Sequence, residues 1–226
     1  MEQLELARYR EALRRDGYVV VPEQPLGLGS EFRRAVVERY FGALQRDLSE
    51  VHPDRGRLRA VFRYAMRDEQ VELHEQACVD IANRNHQGVR RYPRVELGGD
   101  PNMAGFVRGA LALLPPEARP AHSTFSINFF RTRSAVTMGP HQDHERFIVV
   151  HVLRKLGAGA NTLLYDAQDQ ERVVARICLQ EGDTMVFEDR RFLHHVTPLV
   201  SHGGGPCERD ALVCTVDHPE TYGLTA

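Results

Sequence analysis

The feature that most restricts the fold of this chain is a change of pattern near residue 120. Beyond it, short runs rich in Val, Ile, Phe and Thr recur at 124–131, 146–153, 161–165, 172–179, 184–188, 194–200 and 209–216. Gly157-Ala158-Gly159, Glu181-Gly182-Asp183 and Gly203-Gly204-Gly205-Pro206 punctuate them with turn-forming residues. With one more strand around His141-Gln142-Asp143, the total is about eight, the number a jelly roll of two packed sheets requires. A helix-rich part followed by a strand-rich part, without alternation, indicates α+β rather than a doubly wound sheet.

The first half reads mainly as helix. Leu4, Leu6, Tyr9 and Leu13 form a helical stripe that ends at Asp16-Gly17, where Gly17 suits a left-handed cap. Tyr18-Val19-Val20-Val21-Pro22 is a short strand. Phe32, Val36, Val37, Tyr40, Phe41 and Leu44 make an apolar face with Ser30 as its N-cap. Residues 71–82 and 103–114 are further helices, the second stopped by Pro115-Pro116. The expected organisation is one domain over 1–226, mainly helical over 1–120 and carrying a β core over 121–217.

Length and charge narrow the function classes. A chain of 226 residues buries a sizeable core. A formal net charge of -2 gives no nucleic-acid footprint, which needs a basic face. The longest apolar run, 147–153, is interrupted by His151 and too short to span a bilayer. The amphipathic N-terminus has no export-signal pattern. Cys78, Cys178, Cys207 and Cys214 form no C-x-x-C pair, so reduced thiols and a cytoplasmic location are expected.

The chemistry lies in His141-Gln142-Asp143, followed by His194 and Arg209. Residues i and i+2 of a strand project from one side, so His141 and Asp143 can reach one ion. Two imidazoles and a carboxylate occupy one face of an iron ion and leave the other positions open. His194 and His195 are adjacent and point to opposite faces of a strand, so one of them is the third ligand. The planar guanidinium of Arg209 can grip a buried carboxylate through two parallel hydrogen bonds. Its competing reading is a surface ion pair with Glu208, Asp210 or another acid.

His141-Gln142-Asp143, the stretch Gly159-Ala160-Asn161-Thr162-Leu163-Leu164-Tyr165-Asp166, Gly182-Asp183-Thr184-Met185, the run from Asp189 through His194 to Pro198, and Arg209-Asp210-Ala211-Leu212 together resemble the Fe(II)/2-oxoglutarate dioxygenases. Within these they resemble the bacterial branch that includes the free L-isoleucine 4-hydroxylase. The resemblance covers about 120–217. It implies a double-stranded β-helix (a cupin-like jelly roll) with N-terminal helices packed on it. It also implies Fe(II) on His141, Asp143 and His194, with 2-oxoglutarate and O2 as co-substrates and Arg209 on the 5-carboxylate. The family spacing favours His194 over His195. Relatives in other branches carry Ser or Thr two residues after the Arg, where this chain has Ala211, so Thr197 or Asn128 is the expected second anchor. Where relatives often carry Gly, this chain has His144, which either lines the substrate mouth or is a surface residue. With Arg131 and Glu145 it is a candidate for substrate binding, although a solvent-facing role for Arg131 is an equal alternative. A carboxylate at Asp143 excludes the open chloride position of iron halogenases.

Other partial motifs lead nowhere. His74-Glu75-Gln76-Ala77-Cys78 lacks the second His of a zinc protease helix. His202-Gly203-Gly204-Gly205 has no G-x-S-x-G nucleophile to serve. Gly157-Ala158-Gly159 lacks the third glycine of a dinucleotide loop. The expectation is a cytoplasmic enzyme, monomer or homodimer, that hydroxylates a small molecule such as a free amino acid or a derivative and binds neither nucleic acid nor membrane. One alternative has the same iron centre desaturating, cyclising or epoxidising its substrate. Another is a non-catalytic jelly-roll binding module, in which His144 or His195 completes a closed four-ligand set.

Overall fold

The computed structural model describes residues 3–46, 55–67, 70–76, 80–82, 89–91, 94–133, 138–201 and 203–216. Cys78 and His202 lie outside them. Among the described residues the α-helices are α1 (Gln3–Asp16), α2 (Glu23–Leu26), α3 (Ser30–Tyr40) and α4 (Pro101–Leu113). The strands are β1 (Tyr18–Val21), β2 (Gln45–Arg46), β3 (Gly56–Arg67), β4 (Gln70–Glu75), β5 (Asp80–Ala82), β6 (Val89–Arg91), β7 (His122–Thr132), β8 (Phe147–Leu156), β9 (Ala158–Gly159), β10 (Thr162–Asp166), β11 (Val173–Ile177), β12 (Thr184–Glu188), β13 (Phe192–Val196), β14 (Leu199–Val200) and β15 (Glu208–Val216).

An eight-stranded sheet runs β1-β12-β8-β15-β7-β3-β2, with β4 added to β3, and every pairing in it is antiparallel. A three-stranded sheet, β11-β10-β13, covers part of its inner face, and His141 extends that small sheet by bridging to His194. This is the two-sheet β core expected from the strand count.

Both faces of β8 are buried along most of its length, which explains why it reads as a nearly continuous apolar run. Phe125, Ile127, Phe129, Phe147, Val149, Leu212, Cys214 and Val216 point outward onto the helices, where they meet Leu13, Phe32, Val36, Phe106 and Leu111. Ile148, Val150, Val152, Met185 and Phe187 point inward against Leu164, Leu179 and Phe192. Strand alternation therefore separates a structural core from an interior that faces the small sheet.

Local signals account for several helix ends. α1 stops at Gly17, whose φ of 79° lets its N–H reach the Leu13 carbonyl at 2.9 Å. α4 starts at Asp100, which accepts from the Asn102 amide at 2.9 Å ahead of Pro101. α3 differs from expectation: its N-cap is Gly29, and Ser30 is already its first helical residue.

The first half is less helical than its sequence suggests. The helix expected over 71–82 is absent from its described residues: 70–75 pair with β3 and 80–82 form β5, while 77–79 lie outside the described residues. In β4 the exposed Gln70, Glu72 and His74 alternate with half-buried Val71, Leu73 and Glu75, a period of two. β3 itself places Leu58, Ala60, Phe62, Tyr64 and Met66 at every second position among its arginines, a period-two stripe that pairs with β7 and β4. The stretch 194–200 also splits, into β13 and β14 on either side of Thr197-Pro198, because Pro198 has no N–H for a ladder. Gly159 is held here by space as well as by its φ of 78°: a Cβ would lie 2.2 Å from the Pro198 carbonyl oxygen.

Candidate metal and co-substrate site

β13 aligns His194 with Leu164 and His195 with Leu163. Leu164 belongs to the inner core, so His194 faces the interior and His195 faces away. The Nδ1 of His195 is instead 2.6 Å from the Met138 carbonyl. His141 sits across from His194, each amide donating to the other's carbonyl at 3.1 and 2.8 Å. Their rings lie 4.2 Å apart between centroids. Asp143 follows in a loop rather than on a regular strand, and the turn is closed by His144 at a φ of 62°. The left-handed conformation there is one that glycine adopts without strain and that His144 adopts at a cost.

Asp143 faces both imidazoles, with Oδ1 3.9 Å from His141 Nε2 and Oδ2 3.7 Å from His194 Nε2. One donor atom from each of the three residues lies within 4.8 Å of the others. The opposite ring nitrogens face oxygens: His141 Nδ1 is 2.8 Å from the Gly139 carbonyl, and His194 Nδ1 lies 3.2 Å from Asp189 Oδ1, at ion-pair distance but out of hydrogen-bond alignment. Protonation at Nδ1 turns an Nε2 lone pair from each ring toward the cluster. Two imidazoles and a carboxylate converging in this way fit a non-haem iron centre with open positions. Among the described residues neither His144 nor His195 joins the group, so the closed four-ligand set is not assembled.

Electrostatics separates the two histidines. Desolvation and the neighbouring His194 push the His141 pKa down. Burial also opposes charging His194, but its contact with Asp189 and the charges of Asp143 and Asp189 outweigh this and raise its pKa. Asp189 is fully buried, and its other oxygen accepts the Glu145 amide at 3.0 Å. Gln142 Nε2 donates to the Asp189 carbonyl at 2.9 Å. The loop carrying Asp143 is thus tied to the residue that orients His194.

Arg209 pairs across β7 with Thr132, and on the same face follow Phe130 opposite Ala211 and Asn128 opposite Val213. Val213 packs on the inner core, so Arg209 faces the interior. It is 8% exposed, and its Nε and Nη2 have no hydrogen-bond partner. Desolvation lowers its pKa to about 10. A surface ion pair is therefore not its role. A buried guanidinium with unmet donors is costly until an anion fills the place, and a carboxylate matches its fork.

The remaining sequence candidates fall elsewhere. Arg131, expected as a substrate residue, points to the outer face. It grips the fully buried Asp210 at 2.7 and 2.8 Å, because odd positions of β7 face the helices. Thr197, expected to anchor the co-substrate, accepts the Asn161 amide at 2.9 Å and fastens the end of β13 to β10. Asn128 does reach the interior, but Nδ2 donates to the Val213 carbonyl at 3.0 Å and Oδ1 accepts from Arg57 at 2.7 Å. Glu145 is buried and His144 exposed beside the cluster. Sequence reading missed Thr162, on β10 with the same parity as Leu164, 3% exposed with an unpartnered Oγ1. Its only signal was a hydroxyl ahead of the apolar pair Leu163-Leu164. It missed Asp189 as well, whose signal was a carboxylate five positions before His194.

A family model described as 2OG-Fe dioxygenase matches residues 39–215. A bsmA homolog from Methylobium petroleophilum PM1 is similar in structure, with a TM-score of 0.75 at 18% identity over 94% of this chain and 92% of that one. IDO from Bacillus thuringiensis gives 0.75 at 16% identity over 97% and 98%. A prolyl-4-hydroxylase from Pseudomonas putida gives 0.57 at 15% identity over 94% and 98%. A search of curated protein sequences returned no match.

Proposed function

The chain belongs to the 2OG-Fe dioxygenase family, an oxidoreductase family that works with Fe(II), 2-oxoglutarate and O2, and on that premise we propose that it hydroxylates an unactivated C–H bond of a free amino acid or amino-acid derivative. In this reading His141, Asp143 and His194 hold the iron, and Arg209 with Thr162 holds the 5-carboxylate of 2-oxoglutarate. The observation that carries it is Arg209, whose buried guanidinium has unmet donors on the interior wall of the same barrel as the three-ligand cluster. When bound, iron with 2-oxoglutarate and O2 supplies the oxidising power for C–H hydroxylation, and 2-oxoglutarate leaves as succinate and CO2.

The chain's own residues supply position and dryness. Asp189 fixes the ring of His194, leaving its Nε2 for the metal. Ile148, Val150, Leu164, Met185 and Phe187 wall one side of the interior with hydrocarbon and exclude water from it. The assignment to amino acids rests on the motif resemblance to the L-isoleucine 4-hydroxylase branch. A single domain, acting in the cytoplasm as monomer or homodimer, completes the reading. Among the described residues no helix is long and apolar enough to cross a membrane.

The test is succinate release with Fe(II), ascorbate, 2-oxoglutarate and a panel of amino acids, with product mass read in parallel. A gain of one oxygen is expected, whereas a loss of two hydrogens moves the reading to desaturation. Asp143→Ala and His194→Ala are expected to abolish turnover; undiminished turnover in either sinks the assignment.

A further inference from the structure

Lys155 is the only lysine in the chain, so a covalent link through a lysine amine has one possible site. One extra residue in β8 shifts its register with β15: Val152 lies opposite Ala211, but Arg154 lies opposite Asp210. Such a bulge reverses the alternation beyond it, and Lys155 lands opposite Arg209 on the same inward face. Its Nζ donates to the Leu179 carbonyl at 3.1 Å and to Cys178 Sγ at 3.3 Å. Gln180 Nε2 donates to the same sulfur at 3.2 Å and to the Cys178 carbonyl at 3.0 Å. Fully buried Leu179 anchors this turn in the inner core, so the exposed thiol is held against the amine. Cys178 is also near enough to Arg209 for their charges to interact. Of the other described thiols, Cys214 is fully buried and Cys207 faces the Arg133 and Leu199 carbonyls, which leaves the amine as the placed partner.

We propose that Cys178 and Lys155 form a peroxide-sensitive modification site that closes into a covalent sulfur–nitrogen bond and lowers the affinity for 2-oxoglutarate. The oxidant is hydrogen peroxide, small enough to reach an exposed thiol from solvent. The thiol gives its proton to solvent, and its sulfur attacks one peroxide oxygen. An S–O bond forms, the O–O bond breaks, and the departing hydroxide takes a proton from the Lys155 ammonium and leaves as water. The sulfur has lost an electron pair to the peroxide and is now a sulfenic acid. The free amine of Lys155 then attacks this sulfur. An S–N bond forms, the S–O bond breaks, and the hydroxyl leaves with an N–H proton as a second water. The link replaces the ammonium by an uncharged nitrogen and so removes a cation from beside Arg209. That consequence rests on the reading of Arg209 as the anchor of the 5-carboxylate, whereas formation of the bond does not depend on it.

The experiment treats the full chain with hydrogen peroxide, removes the excess, and reads the mass of the intact protein and of its proteolytic fragments. A loss of two hydrogens is expected, with fragments joined through Lys155 and Cys178, and a thiol reductant is expected to reverse it. The treated protein is then loaded anaerobically with Fe(II) and titrated with 2-oxoglutarate through its visible charge-transfer band. Binding is expected to be about tenfold weaker than in untreated protein, and to return on reduction. Cys178→Ser is expected to bind alike before and after peroxide. Lys155→Arg, which keeps a charge but offers no amine, is expected to form no link and to carry added oxygen on Cys178 instead. An intact Cys178 thiol after treatment, added oxygen on Cys178 of the parent without a link, or oxidation of Cys207 ahead of it overturns the site. A linked protein that binds 2-oxoglutarate as tightly as before overturns its effect. Absence of the band in untreated protein counts against the iron reading and leaves the link to be decided by mass.

Discussion

Asp189 Oδ1 lies 3.2 Å from His194 Nδ1, and this contact joins a fully buried carboxylate to the imidazole at the centre of the cluster. Such partners fix the ring plane and raise the basicity of the coordinating nitrogen. Asp189→Asn is expected to lower iron affinity by about 10- to 100-fold while the protein stays folded, as measured by titration with Fe(II) or Mn(II). Unchanged affinity means that packing against Phe187, 5.3 Å from the ring, is sufficient to orient His194.

Arg209 is a liability without its ligand. Removing a buried guanidinium that lacks partners leaves a protein no less stable, so Arg209→Met is expected to melt at or above the wild-type temperature. The same variant loses 2-oxoglutarate affinity by about 100-fold. In the wild type, 2-oxoglutarate at 100 times its Kd adds about 2.7 kcal/mol of stability when metal is present, and in the variant at the same concentration it adds about 0.4 kcal/mol. Paired melting curves read both effects; a variant stabilised as strongly as the parent rules out the anchor.

Arg131 is expected to matter for stability and not for chemistry. Its removal leaves Asp210 buried with a weaker set of partners, Arg154 at 3.0 Å among them. Arg131→Ala should cost about 3 kcal/mol in chemical denaturation and leave 2-oxoglutarate binding unchanged. A selective loss of substrate binding at normal stability reverses this assignment.

His151 gives the fold an acid limit. It is fully buried between Phe32 and Phe106, ring centroids 5.7 Å away on each side, with Nδ1 2.9 Å from the Thr184 hydroxyl. Burial, helped by the charge of Arg33, pushes its pKa down to about 3. The unfolded chain protonates this histidine near pH 6.5 and the folded protein does not, so its contribution is complete above that pH and is lost as the pH falls toward 3. The slope reaches about 1.4 kcal/mol per pH unit. The stability of wild type relative to His151→Phe should therefore decline across that window; a flat difference shows that the ring is already charged in the fold.

The sequence by itself determined the β core and the identity of the chemistry. Alternation and turn residues after 120 encode the strands, and the i, i+2 spacing of His141 and Asp143 survives even though Asp143 lies in a loop. Parity allows only one of His194 and His195 to face the interior, and the register that sets His194 opposite Leu164 decides which. Tertiary structure decided what depends on pairing with distant strands. β3 has a period-two apolar stripe of its own, but which way Arg57 and Arg59 face is set by its register with β7. Whether Arg131 or Arg209 faces the barrel is likewise a matter of which sheet face is roofed by helices. Asp189 and Thr162 carry only faint local signals, since a buried carboxylate beside His194 and a buried hydroxyl with an unpartnered oxygen acquire meaning only when the chain has folded.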